Sequence, residues 1–373
     1  MARPHIAAVL EDVIFRRVEG VLRRRGWQER VTGYTGYGTP EHARLLARVL
    51  LKRAVPREAG STWDDLPESP DPGGSAVEQA AEALTKAVRG WRNFLTAPAL
   101  NAPVTVQLGE VEIDTAVDRG GYLDLEVRGH GLQPGWHEGI VRSANGDTVE
   151  VPVWIMDPSV GTGLVCDIDD TVMVTHLPRL MIAAWNTFFL DELARKAVSG
   201  MAPLLRSIVA EKPGTPVFYL STGAWNTAPT LARFLRRHNY PQGPLLLTDW
   251  GATNTGWFRS GQQHKINELH RLLRDLPGMR WILVGDDGQH DPTIYGDFAK
   301  QHPDAVEAVL IRQLTTAEQV LSHGLPIAND ELLGKDYSGV PMLRAPDGYL
   351  LHRILVQSRQ VLRRLDPAAV GHA

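Results

Sequence analysis

Five short apolar runs, at residues 164–168, 216–220, 245–248, 281–284 and 308–311, constrain this chain more than any other feature. Between them lie segments with helical periodicity, at 202–209, 227–237, 266–274 and 293–301. Short apolar strands separated by helix-length segments imply a parallel sheet covered on both faces. The expected class is therefore α/β. In such sheets ligands bind beyond the carboxyl ends of the strands. Motifs at those ends are where chemistry is sought.

Length and charge set the frame. The chain has 373 residues, enough for two or three domains. Its hydrophobic fraction of 43% and charged fraction of 22% exclude wholesale disorder. A formal net charge of −4 argues against a basic coat for nucleic acid, so no nucleic-acid partner is expected. One cysteine excludes a disulfide framework and a cysteine-based zinc site. Glu11 and Asp12 interrupt the apolar N-terminus, and the apolar stretch at 177–190 carries Pro178, Arg179 and Asn186. The expectation is a cytoplasmic protein with neither leader nor spanning helix.

Upstream of the α/β grammar the pattern is mixed. An amphipathic helix is expected over 6–25, a Gly/Tyr stretch over 32–40 and a short helix over 41–53. A Pro/Asp/Ser-rich loop follows at 61–75, then a helix near 77–94. From about 102 to 158 apolar residues alternate, punctuated by Gly120-Gly121 and Asn145-Gly146. That predicts a small antiparallel β-unit with a hairpin at Asn-Gly. Trp136 and His137 read there as packing and edge residues. The division expected is a helical region at 1–100 joined to the β-unit at 101–158, a catalytic domain at 159–330, and a C-terminal segment at 331–373 packing on the core. The first 60 residues hold twelve basic and six acidic residues, either a solvated surface or a face for an anionic surface.

The strongest chemical signal is the first strand of the α/β series. It delivers Asp167, Asp169 and Thr171 to its carboxyl end. Clustered carboxylates are costly unless a cation compensates them, and a hard divalent cation with oxygen ligands would do so. The run at 216–220 ends in Ser221, Thr222 and Gly223, whose hydroxyls and N–H groups could hold a phosphoryl oxygen. His264-Lys265 opens a predicted helix, and a lysine there could offset acidic charge. The run at 281–284 leads into Gly285-Asp286-Asp287-Gly288 and Asp291, a second acidic strand end. Arg179 and Arg312 are phosphate contacts by position alone, and Trp225 and His290 either line the pocket or pack. Cys166 reads as a small core residue.

Asp-x-Asp-x-Thr, then a strand ending in Ser/Thr, then Lys, then Gly-Asp with a further Asp, in this order, resembles the haloacid-dehalogenase (HAD) superfamily over about residues 160–315. The resemblance implies a Rossmann-like parallel-sheet domain. It makes Asp167 the nucleophile that forms an aspartyl-phosphate, and Asp169 the acid and base. It makes Ser221 the second-motif hydroxyl and Lys265 the third-motif lysine. It places Mg²⁺ on Asp167, Asp286, Asp291 or Asp287, and the backbone carbonyl of Asp169, with Thr171, Thr222 and Gly223 contacting substrate. More narrowly, Asp-Ile-Asp-Asp-Thr-Val, Leu-Ser-Thr-Gly-Ala-Trp and Gly-Asp-Asp-Gly-Gln-His-Asp are similar to the actin-patch-associated phosphatidate phosphatase family. Tyr34 to Thr39, Gly120 to Tyr122 and Trp136-His137 resemble the N-terminal half of its bacterial relatives. This implies a Mg²⁺-dependent phosphoric monoester hydrolase of lipid metabolism, acting on phosphatidate or a related lipid phosphate. One departure is Asp287, where the family more often has Ser.

The inserts at 171–216 and 222–265 leave room for only a small cap or none, which suits a bulky or surface-bound phosphoester. The apolar stretch at 177–190 is either a core helix or a wall for acyl chains. Two alternatives stay open: a phosphatase for soluble, protein or nucleic-acid phosphates, and a catalytically weak interaction module at a membrane or protein. Peripheral membrane contact is compatible with the first reading, and nothing in the sequence signals an oligomeric state.

Overall fold

The structure, a computed structural model, describes residues 17, 19–53, 97–174, 196–248, 257–288, 290–315 and 339–365. The expected loop at 61–75, the helix at 77–94, the apolar stretch at 177–190, Arg179 and most of the helix at 6–25 lie outside these residues; 19–24 are helical. The chain divides into two compact units, Met1–Ile155 and Met156–Ala373.

The first unit is a curled eight-stranded sheet. Its strands are β1 (Trp27–Gly38), β2 (His42–Arg53), β3 (Ala97–Pro98), β4 (Pro103–Leu108), β5 (Val111–Ala116), β6 (Tyr122–Arg128), β7 (Gly135–Ser143) and β8 (Thr148–Ile155). The order is β3-β2-β1-β8-β7-β4-β5, with β6 also paired to β2. Most pairings are antiparallel, but β1 runs parallel to β8. The Asn-Gly hairpin forms between β7 and β8, closed by Ser143 N–H to the Asp147 carbonyl at 2.9 Å.

Three expectations are corrected here. The helix at 41–53 is strand β2, and the Gly/Tyr stretch is most of β1, so the helical region at 1–100 is in part sheet. Leu45, Leu46, Val49 and Leu50 match helical spacing. Yet Ala43, Leu45, Ala47, Val49 and Leu51, at alternate positions, all join the buried core. Pairing with β1 on one side and β6 on the other decides between the two periods. The β-unit therefore starts at Trp27 and is not wholly antiparallel. Trp136 lies on β7 beyond its pairing with β4, which runs only over Ile140 to Ser143; it is exposed, pairs with Trp154 of β8 and packs on that ring at 5.0 Å.

The second unit is a six-stranded, wholly parallel sheet in the order β11-β10-β9-β12-β13-β14. Its strands are β9 (Thr162–Asp167), β10 (Val217–Ala224), β11 (Leu245–Thr248), β12 (Arg280–Asp286), β13 (Val306–Arg312) and β14 (Met342–Ala345). Helices α1 (Met201–Glu211), α2 (Ala228–Arg237), α3 (Trp257–Asp275), α4 (Asp291–Gln301) and α5 (Gly348–Leu365) accompany them. Every residue of β9 is buried, the pattern of a central strand covered on both faces. Leu164, Val165, Phe218, Leu220, Ile282, Leu283 and Leu310 form its neighbourhood at 0% exposure. Each such side chain contributes roughly 1.5–3 kcal/mol on burial.

Strand order locates the site. From β9 the chain steps one way to β10 and β11, then returns to β12 on the other side of β9. This reversal makes the carboxyl end of β9 the topological switch point, where a crevice opens between diverging connections. The three motif-bearing strands, β10, β9 and β12, are adjacent there. β14 extends the same sheet, and Arg359 of α5 pairs with Glu307 of β13 at 2.7 Å. Among the described residues, no helix is long and apolar enough to cross a membrane.

Candidate active site

At the end of β9, Asp167 is 2% exposed. Lys265 donates to Oδ1 of Asp167 and to Oδ1 of Asp291, each at 2.6 Å, and all three side chains are buried. Asp286, from the end of β12, completes a group of three carboxylates. One oxygen each of Asp167, Asp286 and Asp291 lies within 4.8 Å of the others. The motifs at the ends of β9 and β12, the start of α4 and the middle of α3 thus converge.

Local structure explains each placement. Asp291 is in the first turn of α4, where the helix dipole favours a carboxylate. Gly285 is required beside it: a Cβ there would lie 2.5 Å from Oδ2 of Asp291 and 2.8 Å from the Tyr295 ring. Lys265 does not open its helix, as the sequence suggested, but sits in the middle of α3, which begins at Trp257. Gly261, a poor helix former that hid this first turn, faces Thr222, where a Cβ would lie 3.1 Å from Cγ2. The glycine lets α3 approach the end of β10, which brings Lys265 onto Asp167.

Ser221 and Thr171 are both turned to carboxylates. Ser221 donates to Oδ2 of Asp169 at 3.0 Å and accepts the N–H of Gly223 at 2.9 Å. Thr171 donates to Oδ2 of Asp286 at 3.3 Å, and Gly288 N–H binds the other oxygen at 2.7 Å. Thr248 donates to the carbonyls of Thr222 and Gly223 at 2.9 and 3.1 Å, fixing that loop. The Asp169 carboxylate lies outside the three-carboxylate group. Asp287 is excluded too: it accepts the N–H of Leu314 at 2.7 Å and anchors the loop after β13. Asp291, not Asp287, partners Asp286.

The electrostatics are unbalanced. Burial pushes the Asp167 carboxyl well above the usual range; Lys265 opposes this, while Asp291 and Asp169 add to it. Burial likewise raises Asp286, helped by Asp291 and Asp167. Burial alone would lower Lys265, but the two carboxylates outweigh it and hold the ammonium charged. One lysine cannot neutralise three buried carboxylates. Oδ2 of Asp167 and Oδ2 of Asp291 are buried with no hydrogen-bond partner among the described residues. Orphaned carboxylate oxygens in an all-oxygen donor set fit a hard divalent cation. The buried triad can hold a metal ion.

Residues 162–313 match the family model described as phosphatidate phosphatase APP1, catalytic domain. The matched segment is similar to those catalytic domains and spans less than half of this chain. Over 172 residues the chain is 28% identical to phosphatidate phosphatase APP1 of Saccharomyces cerevisiae, covering 46% of this chain and 29% of that protein. It is 26% identical over 166 residues to an uncharacterized protein of Schizosaccharomyces pombe, covering 44% of this chain and 27% of that one. The match thus spans less than a third of the length of either relative. A solved structure, of a carbohydrate acetylesterase from Xanthomonas citri, is 10% identical, with a TM-score of 0.22 over 62% of this chain and 69% of that one. A likeness that low carries no weight for the fold.

The APP1-type segment runs from the first residue of β9 to just past β13, so it contains every residue of the carboxylate group. Two features within it had no obvious sequence signal. Asp170 adopts a left-handed conformation, φ 57°, and Arg312 donates to its carbonyl at 2.7 Å. Tyr240 donates to the carbonyl of Val172 at 2.9 Å from the loop after α2. Trp225 is buried, whereas His290 is exposed as the residue before α4.

Proposed function

We propose that this chain is a Mg²⁺-dependent phosphatase of the HAD type that hydrolyses phosphatidate or a related lipid phosphomonoester. The observation that carries this reading is the Asp167–Lys265–Asp291 bridge beside Asp286 at the switch point of the sheet. The lipid substrate rests on the match of 162–313 to the phosphatidate phosphatase catalytic domain.

In this reading Asp167 is the nucleophile. A carboxylate oxygen bonds to phosphorus as the bond from phosphorus to the ester oxygen breaks, leaving an aspartyl-phosphate. Asp169 gives the departing alkoxide its proton. In the second half-reaction the ionised Asp169 takes a proton from water, whose oxygen attacks phosphorus and releases phosphate and Asp167. Ser221 holds the Asp169 carboxylate in place through its 3.0 Å bond. Lys265 orients Asp167 and offsets negative charge near the incoming phosphoryl group. Asp167, Asp286 and Asp291 would hold the cation, with the carbonyl of Asp169; Mg²⁺ bound there supplies charge neutralisation for the phosphoryl oxygens. Thr171 acts by steadying Asp286, while Thr222 and Gly223 border the phosphoryl position.

The test is phosphate release by the purified 373-residue chain with Mg²⁺, from phosphatidate vesicles and from a panel of soluble phosphomonoesters. Activity favouring phosphatidate supports the lipid reading. Preference for a soluble ester moves the substrate class and keeps the chemistry. Undiminished turnover by a clean Asp167→Asn protein rejects the nucleophile assignment.

A further inference from the structure

We propose that Arg312 is a positioning residue of the acid/base turn, acting on Asp169 through the backbone of Asp170. The inference rests on the phosphatase reading above and adds to it a residue outside the four sequence motifs.

The turn after β9 has an unusual backbone. Asp170 has φ 57°, a region that L-residues rarely occupy, although short polar side chains tolerate it. The turn is closed by Asp170 N–H to the Met173 carbonyl at 2.8 Å and by Val172 N–H to Ile168 at 2.9 Å. The Asp170 carbonyl lies inside the fold, where a backbone acceptor calls for a donor. Arg312 supplies it, Nη1 to O at 2.7 Å, from a side chain that is 6% exposed.

Arg312 reaches this carbonyl from the end of β13. In register it lies beside Asp286, and its own carbonyl accepts the N–H of Asp287 at 2.9 Å. Its side chain therefore passes the carboxyl end of β12, which separates β13 from β9. Arg312 thus joins the turn that carries Asp169 and Thr171 to the end of β12, which carries Asp286 and leads into Asp287.

The consequence follows from the peptide it holds. Asp170 is flanked by Asp169, bound to Ser221, and by Thr171, bound to Asp286. Without the guanidinium, the left-handed residue loses a bond that selects its conformation, and the turn gains freedom. Asp169 moves with it, and a general acid displaced by a fraction of an ångström is a poorer acid. The loss falls on steps that need a proton from Asp169.

Leaving-group dependence reads this directly. An alkyl alkoxide needs protonation to depart, whereas 4-nitrophenoxide does not. With the full chain and Mg²⁺, kcat/KM is measured on n-octyl phosphate and on 4-nitrophenyl phosphate for wild type, Asp169→Asn, Arg312→Gln and Arg312→Lys. Arg312→Gln is expected to lose roughly ten-fold or more on the alkyl ester and only about two- to three-fold on the aryl ester, with the same sign of selectivity as Asp169→Asn. Arg312→Lys, keeping a donor, is expected to recover part of the alkyl rate. If Arg312→Gln does not fold, the alkyl-to-aryl ratio of Arg312→Lys carries the measurement. Equal losses on the two esters would show a merely structural role and overturn the proposal. So would unchanged rates. If Asp169→Asn is selective and the arginine variants are not, only this proposal falls. A wild type inactive on both esters and on phosphatidate overturns the phosphatase reading, and this inference with it.

Discussion

The ammonium of Lys265 lies 2.6 Å from Oδ1 of Asp167, and both side chains are buried. A pair so placed is costly to break from one side. Lys265→Met would leave Asp167, Asp286 and Asp291 without their cation, and removing one partner of a buried pair typically costs about 3–5 kcal/mol. We expect a lower melting temperature and a loss of kcat of about a hundred-fold or more. The metal-free variant should suffer most, with Mg²⁺ restoring more of its stability than of wild type's. Melting curves with and without Mg²⁺, alongside kcat, check this. An unchanged Mg²⁺ increment would show that Lys265 and the cation do not share one site.

Metal removal should act on stability as well as on rate. A cation bound only by the folded state stabilises it by about 2.7 kcal/mol at a hundred times its dissociation constant. A chelator is therefore expected to abolish phosphate release and lower the melting temperature by several degrees, both reversed by Mg²⁺. Asp286→Asn, which removes one of the three carboxylate charges, should weaken the Mg²⁺-dependent rise in melting temperature. A Mg²⁺ response that is the same in Asp286→Asn would place the metal elsewhere.

Ser221 tests the role of Asp169 from the other side. Its hydroxyl bridges Gly223 N–H and Oδ2 of Asp169. Ser221→Ala removes the bond while leaving the cation ligands in place. We expect kcat to fall by about ten-fold or more with melting little changed, because aligned proton transfer contributes about a hundred-fold or more. Full activity in Ser221→Ala would show that Asp169 needs no help from β10.

Five of the six strands of the parallel sheet were legible because they are apolar and largely buried; the sixth, β14, is only partly buried and was missed. Apolar runs such as Val217 to Leu220 have no competing period, and those of β9, β10 and β12 end in polar motif residues. Helix α3 was legible only from Ile266 because Gly261 and the polar residues around it read as loop. Strand β2 was misread because Leu46 and Leu50, buried on its second face, add a helical spacing to the alternation of Leu45, Val49 and Leu51. That ambiguity is settled by pairing partners far along the chain, which local pattern does not contain. Within the site, the acidic residues announced themselves by clustering. The choice between Asp287 and Asp291 needed the turn after β12, which sends Asp287 to Leu314 N–H instead. Arg312 was visible as a charge at a strand end, but its target is a backbone carbonyl, which leaves no trace in side-chain pattern.

The first unit carries a separate acid sensitivity. His130, at 0% exposure, accepts the N–H of Leu132 on Nδ1 at 3.1 Å, so its proton sits on Nε2 and points to the carbonyl of Thr39, also 3.1 Å away. Burial lowers its pKa; the bond to Thr39 opposes this, and His137 and His42 add to the lowering. A histidine depressed in the folded state binds protons more readily when unfolded. Its contribution is therefore complete above the ordinary value of 6.5 and is lost as pH falls toward the folded value. Denaturant unfolding of wild type should show stability declining below about pH 6.5. His130→Gln can accept from Leu132 and donate to Thr39 without titrating, and its pH slope should be shallower. Parallel slopes for the two proteins would assign the acid sensitivity to other groups.

Gly285 makes the tightest test of how the cation site is built. The space beside it is taken by Oδ2 of Asp291 and by the ring of Tyr295, whose own exposure is 0%. Neither neighbour can swing away, since Asp291 is held by Lys265 and Tyr295 is inside the core one turn further along α4. Gly285→Ala must therefore push the start of α4 away from β12. Overpacking of this kind typically costs about 1–3 kcal/mol. The displacement also carries Asp291 away from Asp286 and Asp167. We expect Gly285→Ala to fold with a lower melting temperature, to require more Mg²⁺ for half-maximal rate, and to lose kcat even at saturating Mg²⁺. Mg²⁺ titration of the rate, paired with melting curves, separates these effects. A variant that melts lower but keeps the wild-type Mg²⁺ requirement would show that Asp291 is not held against the other two carboxylates by this contact.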